Sequence, residues 1–239
     1  MASKILSRIS ESRLCPNNLF YYHSIVGLEF KTFNEKCLQR KPLNITFETI
    51  DQRTMNPRQL DHLLNELIFA TGEDSVPTQR EIFSNFFKKG NTCFIARKED
   101  VLIGYYWAFL DHHIITYDDY KSKNLFLELP EKTVFFGNGF IRPAYRLKGV
   151  FPHFASYCIK QFSPENRFVT ATDIENRASF NSHQRLGYFK TFQLTCISFV
   201  NFQWHFMASG NSTCGIKFHL HHKTCAMPKV SANMLLPLS

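Results

Sequence analysis

The sequence has no C-x-x-C pair, and its seven cysteines are an odd number spread over 239 residues. Disulfide frameworks need paired cysteines, and zinc knuckles need closely spaced ones. Neither kind of site is indicated, so we expect reduced cysteines and a cytoplasmic protein. The first residues, MASKILSRISESRL, also lack the apolar segment of a secretion signal, which agrees with that location.

Long hydrophobic runs and clusters of basic residues are missing as well. The longest apolar run, residues 105–110, is far shorter than the roughly 20 residues of a membrane-spanning helix, so we expect no membrane span. The net charge is +8, but no run of Lys and Arg exceeds two or three residues. We therefore expect no nucleic-acid partner, and a phosphate-rich cofactor would account for the positive surplus equally well.

What is present is the composition of a globular chain, with 44% hydrophobic and 20% charged residues. The length suits one domain with a sizeable core. Phenylalanine occurs 25 times and is spread along the whole chain, so we interpret these residues as core. No internal repeat or low-complexity linker divides the sequence.

The pattern changes near residue 44. A helical spacing is shared by Val26, Phe30, Phe33 and Cys37. Pro42 would end such a helix. Residues 1–44 are therefore predicted to form an N-terminal helical extension packed on the core, and residues 45–239 the main domain.

Helices and strands alternate in the main domain. Residues 44–50 read as a strand, Asn56 and Pro57 begin a helix, and Thr78 and Glu81 form a capping box for a second helix that ends at Gly90. Two β-rich runs on either side of a polar turn at residues 98–100 indicate a hairpin. The apolar face of the first helix comprises Leu60, Leu63, Leu64, Leu67 and Ile68.

The second half continues this alternation. After a polar insert, a strand is predicted over residues 133–142, where Gly137 and Gly139 indicate a bulge or a close backbone approach. The remaining predicted elements are a helix over 149–162, a strand over 167–172, a helix over 176–186 and strands within 190–208 and 214–222. The order predicts an α/β fold, a mixed sheet with helices on its faces.

The segment FIRPAYRLKGVFPHF, residues 140–154, joins a predicted strand to a predicted helix. Successive backbone N–H groups in such a loop, followed by a helix N-terminus, form an anion-binding site. Gly149 lets the backbone approach a phosphate, and Arg146 and Lys148 add positive charge at the rim. The candidate loop consists of Arg146, Leu147, Lys148, Gly149, Val150 and Phe151.

This loop resembles the pyrophosphate-binding motif of the GNAT N-acetyltransferase superfamily. In that motif Arg or Gln, two variable residues, Gly, one variable residue and then Gly or Ala follow a strand. Arg146 and Gly149 match the pattern, and Phe151 stands where Gly or Ala is expected. A bulky side chain there would either point away from the phosphates or narrow the site.

A second segment, NRASFNSHQRLGY at residues 176–188, resembles the next motif of the superfamily. There an Asn opens a helix that ends in Leu-Gly-Phe, and Asn176, Leu186, Gly187 and Tyr188 fall at the matching positions. His183 occupies the position at which many members carry a Tyr that protonates the departing thiolate. Helix capping alone would also explain Asn176 and Gly187.

The resemblance implies a GNAT-like acyl-CoA N-acyltransferase fold over about residues 45–222. It implies that the protein transfers an acetyl group from acetyl-CoA, or another acyl group from its acyl-CoA, to a primary amine by direct attack on the thioester, with no metal. The loop would bind the cofactor, and Asn176 would contact the pantetheine arm or cap its helix. His183 would be the acid, or else a helix residue that only packs beside Phe180 or faces water. Backbone N–H groups of Phe140, Ile141 and Arg142 would stabilise the oxyanion.

The general base is left open, because several residues and a water chain could serve. The candidate side chains are Asp111, His112, His113, Glu128 and Asp173. A run at residues 219–222 with Cys225 resembles a metal site, but it lacks a second cluster of ligands, so no metal is expected.

The acceptor is left open too, as a small-molecule or protein amine, and so is the choice between monomer and homodimer. Two other functions compete with catalysis. One is a non-catalytic acyl-CoA-binding or protein-interaction module on the same fold, and the other is a basic nucleic-acid-binding protein.

Overall fold

The computed structural model describes residues 20–39, 44–71, 76–116, 124–199, 202–209, 212–220 and 229–231. The helices within these ranges are α1 (Pro57–Thr71), α2 (Val76–Lys88), α3 (Val150–Ile159) and α4 (Arg177–Leu186). The strands of the first half are β1 (Phe20–Phe30), β2 (Ile45–Ile50), β3 (Thr92–Lys98), β4 (Val101–Phe109), β5 (His112–Thr116) and β6 (Asn124–Glu128). Those of the second half are β7 (Thr133–Ile141), β8 (Arg167–Asp173), β9 (Tyr188–Phe199), β10 (Phe202–Ser209), β11 (Ser212–Leu220) and β12 (Lys229–Ser231).

Nine strands form one mixed sheet in the order β11-β10-β9-β1-β8-β7-β4-β3-β2. Its neighbouring strands are antiparallel except for β7 and β8, which run parallel. A parallel pair needs a long crossover, and the crossover between these two strands contains α3. The predicted mixed α/β sheet is therefore confirmed.

Strand β1 corrects the prediction for the N-terminal part. The helix expected from Val26 to Cys37 is wrong, because residues 20–30 are a strand and only Glu35–Leu38 forms a short 3-10 helix. β1 lies between β8 and β9, so it is an interior strand of the main sheet. The division of the chain at residue 44 stays a prediction.

Three further predictions change in detail. The polar insert after the hairpin contains β5 and β6, which form a small second sheet with β12. The single strand expected within residues 190–208 belongs to two strands, β9 and β10. Helix α2 begins at Val76, two positions before the predicted capping residue Thr78. The start of α1 is confirmed, since Asn56 and Gln59 exchange backbone and side-chain hydrogen bonds.

Helices cover both faces of the main sheet. Successive residues of a strand point to opposite faces, so Phe135 of β7 packs in the core under α1 and α2, and Phe136 packs in the core under α3. We call these the α1/α2 face and the α3/α4 face. The first core includes Leu63, Leu67, Phe83, Phe87 and Trp107, and the second includes Phe94, Val150, Phe154, Leu186 and Tyr188.

Candidate active site

The parallel strands β7 and β8 separate partway along their length. They pair from Thr133 with Arg167 as far as Phe136 with Thr170. Both strands continue beyond this point, β7 to Ile141 and β8 to Asp173. A wedge-shaped gap between neighbouring strands results, with its narrow end at Gly137 and its open end at the loop after β7. We call it the cleft.

A bulge in β7 lies at the cleft. Opposite β4, Tyr105 pairs with Phe140 and Trp107 with Gly137, so β7 carries one extra residue between these pairs. Asn138 adopts a left-handed backbone conformation there, with φ of 46°. The bulge predicted from Gly137 and Gly139 is thus confirmed, and it bends β7 where the strand leaves β8.

The backbone N–H and C=O groups at the end of β7 point alternately toward β4 and into the cleft. The N–H of Arg142 donates to the carbonyl of Ile103 on the β4 side, at 2.8 Å. Because an antiparallel strand alternates the direction of its polar groups, the N–H and C=O of Ile141 face the cleft. Arg146 Nε donates to the Ile141 carbonyl at 2.8 Å.

This alternation corrects one sequence prediction. Of the three N–H groups predicted to stabilise an oxyanion, only that of Ile141 is directed into the cleft. The Arg142 N–H is bonded to Ile103, and the register directs the Phe140 N–H toward Tyr105 of β4. The Phe140 side chain packs on the α1/α2 face.

The loop at the open end of the cleft has the geometry of an anion site. Residues 146–149 form a turn in which Leu147 and Gly149 have positive φ angles of 59° and 77°. Gly149 is the residue before α3, so the free N–H groups of the helix start lie at this turn. Arg146 and Lys148 are exposed beside it, and the Lys98 Nζ and Lys148 Nζ atoms each lie 5.9 Å from the centre of the Tyr145 ring. The loop is therefore positively charged on two sides.

Phe151, the residue that departs from the family motif, points into the protein. Its ring lies 4.7 Å from the ring of His183 and 6.3 Å from that of Tyr106, in the core of the α3/α4 face. The aromatic ring packs beneath the loop and leaves the turn itself uncovered. Of the two alternatives from the sequence, the side chain that points away from the phosphate loop agrees with this arrangement.

His183 is buried, with 6% of its surface exposed. Its Nδ1 lies 2.8 Å from the carbonyl oxygen of Ser179, which can only accept, so Nδ1 carries the proton. In the neutral ring Nε2 then accepts, and the hydroxyl of Tyr106, 3.2 Å away, donates to it. Burial lowers the pKa of His183 to about 4, so the ring is neutral at neutral pH.

Tyr106 extends this hydrogen-bonded chain to the cleft. Its hydroxyl also lies 3.4 Å from Thr170 Oγ1, and Thr170 is the last residue of β8 that pairs with β7. A Cβ atom at Gly139 would come within 2.5 Å of the Tyr106 ring, so the glycine in β7 is what lets the tyrosine lie under the strand. Tyr106 was not among the site residues predicted from the sequence, although Gly139 marks the close approach that this tyrosine makes.

Asn176 caps helix α4. Its side-chain oxygen accepts a hydrogen bond from the backbone N–H of Ser179 at 3.0 Å. The capping interpretation is confirmed, and a contact with a pantetheine arm stays a prediction.

The candidate bases are dispersed. Asp173 is paired with His23 at 3.0 Å and accepts from the Glu175 N–H, whereas Asp111 and Glu128 are exposed. The His112 ring stacks on Phe126. Only His113 lies against β7 at the narrow end of the cleft, where its ring atoms come within 3.4 Å of where a Cβ of Gly137 would be.

The metal site considered for the histidines near the C-terminus lies outside the described part of the chain. His221, His222 and Cys225 lie outside the described residues, as does the side chain of His219. Within the described part of the chain, no group of three His, Cys, Asp or Glu side chains could hold a metal ion. No helix of that part is both long and apolar enough to cross a membrane.

Comparison with known proteins gives matches in structure and none in sequence. Neither a protein-family model nor a curated protein matches the chain. A conserved protein of unknown function from Staphylococcus epidermidis superposes with a TM-score of 0.50 at 13% identity, over 81% of this chain and 66% of that one, which is just under two thirds of its length.

Two acetyltransferase structures are also similar. A GNAT-family acetyltransferase from Colwellia psychrerythraea has a TM-score of 0.47 at 11% identity, over 83% of this chain and 72% of that one. An aminoglycoside N-acetyltransferase in complex with coenzyme A has a TM-score of 0.40 at 20% identity, over 60% of this chain and 91% of that one. What the chain shares with the Staphylococcus epidermidis protein is the fold, and its own mixed sheet has two diverging parallel strands and a turn before α3.

Proposed function

We propose that this protein is an acyl-CoA-dependent N-acyltransferase that uses acetyl-CoA or another acyl-CoA. The observation that carries the proposal is the cleft between β7 and β8, which opens onto the positively charged turn before α3. The diphosphate of the cofactor binds the turn at residues 146–149, where N–H groups and the helix dipole favour anions. The pantetheine arm lies in the cleft, along the exposed backbone edge of β7.

The reaction on this arrangement is a direct transfer. The amine attacks the thioester carbonyl, a C–N bond forms, the C–S bond breaks, and the thiolate leaves with the electron pair. The Ile141 N–H faces the cleft and is the donor best placed for the cofactor or for the developing oxyanion, an interaction typically worth about 10²–10³ in rate. Holding both substrates in one cleft replaces a bimolecular encounter by an oriented one.

His183 serves the departing thiolate through Tyr106. Both ring nitrogens of His183 already have partners, and the Tyr106 hydroxyl is the member of the pair that extends toward the cleft. Burial raises the pKa of Tyr106, so its hydroxyl keeps its proton at neutral pH and can turn from His183 Nε2 to donate this one proton to the sulfur.

The acceptor is a primary amine on a small molecule or a protein, and the protein works in the cytoplasm. Three deeply buried cysteines, Cys93, Cys158 and Cys196, are free thiols, which supports a reducing compartment. On the α1/α2 side of the cleft, the guanidinium of Arg142 lies 5.5 Å from the centre of the exposed ring of Phe69. An aromatic ring and a cation at this position favour an acceptor with a polar or anionic group beside the amine.

A non-catalytic acyl-CoA-binding module is the second candidate. Phe151 favours it, because its ring packs against His183 on the side of α3. In that case the protein would bind acetyl-CoA and coenzyme A equally well and release no thiol in the presence of amines.

Calorimetric titration with acetyl-CoA and with free coenzyme A tests the cofactor site. We expect binding of both, and loss of binding in Gly149→Asp, because a carboxylate at the turn repels phosphate. Gly90→Asp is the matched control. Gly90 has nearly the same backbone angle, φ of 75° against 77°, and follows α2 away from the cleft.

Thiol release with a set of primary amines then separates the enzyme from the binding module. Binding by the wild type and by Gly90→Asp but not by Gly149→Asp supports the assignment of the turn. Equal binding by both variants would place the cofactor elsewhere, and no binding by the wild type would end the proposal.

A further inference from the structure

His113 belongs to the small second sheet, but its ring packs on the main one. The imidazole stacks on Phe135 of β7, with the two ring centres 4.4 Å apart. The ring centre of Phe109 of β4 lies 4.3 Å from that of the imidazole. Both phenylalanines belong to the core of the α1/α2 face. His113 therefore lies on the face of the sheet opposite to Tyr106 and His183.

The ring is placed at the narrow end of the cleft. Gly137 is the first residue of β7 beyond the last pair with β8. A Cβ on this glycine would lie 3.4 Å from both Nε2 and Cε1 of His113, so this edge of the imidazole packs directly against Gly137. Since a cofactor held at the loop enters from the open end, its acyl group reaches toward this narrow end.

One ring nitrogen of His113 has no partner. Nδ1 is buried, and none of the described residues forms a hydrogen bond with it. Buried polar atoms in folded proteins are almost always paired, because an unpaired one costs stability. Burial, and after it the neighbouring His112, lowers the pKa of His113 to about 3, so the ring is neutral and keeps a lone pair.

We infer that His113 is the general base on the acceptor side of the cleft, where Nε2, the ring nitrogen beside Gly137, receives the proton of the attacking amine. The inference rests on the proposed function. The cofactor occupies the α3/α4 side, where the phosphate turn and Tyr106 lie, and the amine enters from the α1/α2 side past Phe140 and Arg142.

The proton moves in step with bond formation. A weakly basic imidazole does not remove a proton from a free ammonium ion, so the amine reacts in its neutral form. As the C–N bond forms, the nitrogen becomes positively charged and strongly acidic, and the proton then passes to His113. The electron pair of the C–S bond leaves with the thiolate, and His113 returns its proton to solvent after the product departs.

The melting temperature and the turnover of a variant, measured together, distinguish a catalytic role of His113 from a structural one. His113→Phe keeps an aromatic ring against Phe109 and Phe135 but removes both ring nitrogens. If the imidazole were there only for packing, the folded variant would keep the turnover of the wild type. A catalytic role predicts a melting temperature that is equal or higher, together with turnover that falls by about 100-fold.

The test measures acetyl-CoA affinity, melting temperature and amine-dependent thiol release for the wild type, His113→Phe and His113→Gln. The amines are an amino sugar, a polyamine and a lysine peptide. His62→Gln, which changes an exposed histidine on α1, is the control that should leave turnover intact. The second His113 variant covers the case in which phenylalanine does not fit.

The outcomes separate this inference from the proposed function. Unchanged affinity for acetyl-CoA with turnover lost in both His113 variants supports it. Wild-type turnover in a folded His113 variant overturns it and leaves the acyltransferase proposal standing. A wild type that binds acetyl-CoA but acetylates none of the amines overturns the enzyme proposal, and the base assignment falls with it.

Discussion

His183 and Tyr106 act as one unit although they lie 77 residues apart in the chain. Removing either side chain leaves a buried polar atom of the other without its partner, which typically costs about 1–3 kcal/mol of stability. A unit of this kind gives mutational effects that do not add.

We therefore expect His183→Phe and Tyr106→Phe each to lower turnover by about 100-fold, with little change in the affinity for acetyl-CoA. The double variant should be no slower than the slower single one. Steady-state kinetics with the best amine, and calorimetry for the affinity, measure the two quantities separately. Undiminished turnover in His183→Phe would remove the pair from the reaction.

The sequence predicts those site residues whose role is local. Arg146, Gly149 and Asn176 act through a turn and a helix cap, and such features follow from neighbouring residues. The hydrogen bond from Tyr106 to His183 depends on packing across the sheet, and no spacing in the sequence encodes it. The same reason explains why the sequence could not show which of the five candidate bases lies against β7 at the narrow end of the cleft.

The bulge in β7 gives a test at the level of one element. Asn138 adopts its left-handed conformation as an exposed residue, so its backbone angle rather than its packing determines which side chains are tolerated. A β-branched residue in this conformation costs about 1–2 kcal/mol, whereas glycine adopts it freely.

Asn138→Val should accordingly lower the free energy of unfolding by about that amount, and Asn138→Gly should leave it nearly unchanged. Urea unfolding of the two variants beside the wild type measures the difference. Equal stability of the valine and glycine variants would mean that the bulge is absent in solution, and the cleft would then lack its bend.

Elements with a polar face were predictable, and the strand buried on both faces was not. The apolar stripe of α1 and the hairpin of β3 and β4 were predicted correctly, since one side of each element has its own pattern. In β1, Ile25 and Val26 point to opposite cores and both are buried. Such a strand shows no alternation, so the spacing of Val26 and Phe30 resembled a helix by coincidence.

The buried His183 connects the stability of the whole molecule to pH. Burial lowers the pKa of His183 from 6.5 to about 4, while the unfolded chain binds a proton near 6.5. As the pH falls, the unfolded state therefore binds a proton at His183 before the folded state does. The contribution of this difference to the free energy of unfolding is fully present above pH 6.5 and is lost as the pH falls to about 4. For His183 alone this loss amounts to about 3 kcal/mol.

Urea unfolding at a series of pH values across that window should show a falling free energy of unfolding. In His183→Phe the decline should be shallower, because one fewer proton is taken up on unfolding. An identical slope in the wild type and the variant would show that folding does not lower the pKa of His183.

The interior position of β1 determines when the sheet can form. Ser24 of β1 contacts Leu194 of β9, which is 170 residues further along the chain, and the other neighbour, β8, is also far downstream. A ribosome synthesises β1 long before β8 or β9. The apolar strand therefore remains unpaired while most of the domain is synthesised. Efficient production of this protein should then depend on chaperones that shield the nascent chain, and fragments that end before residue 188 should aggregate rather than fold.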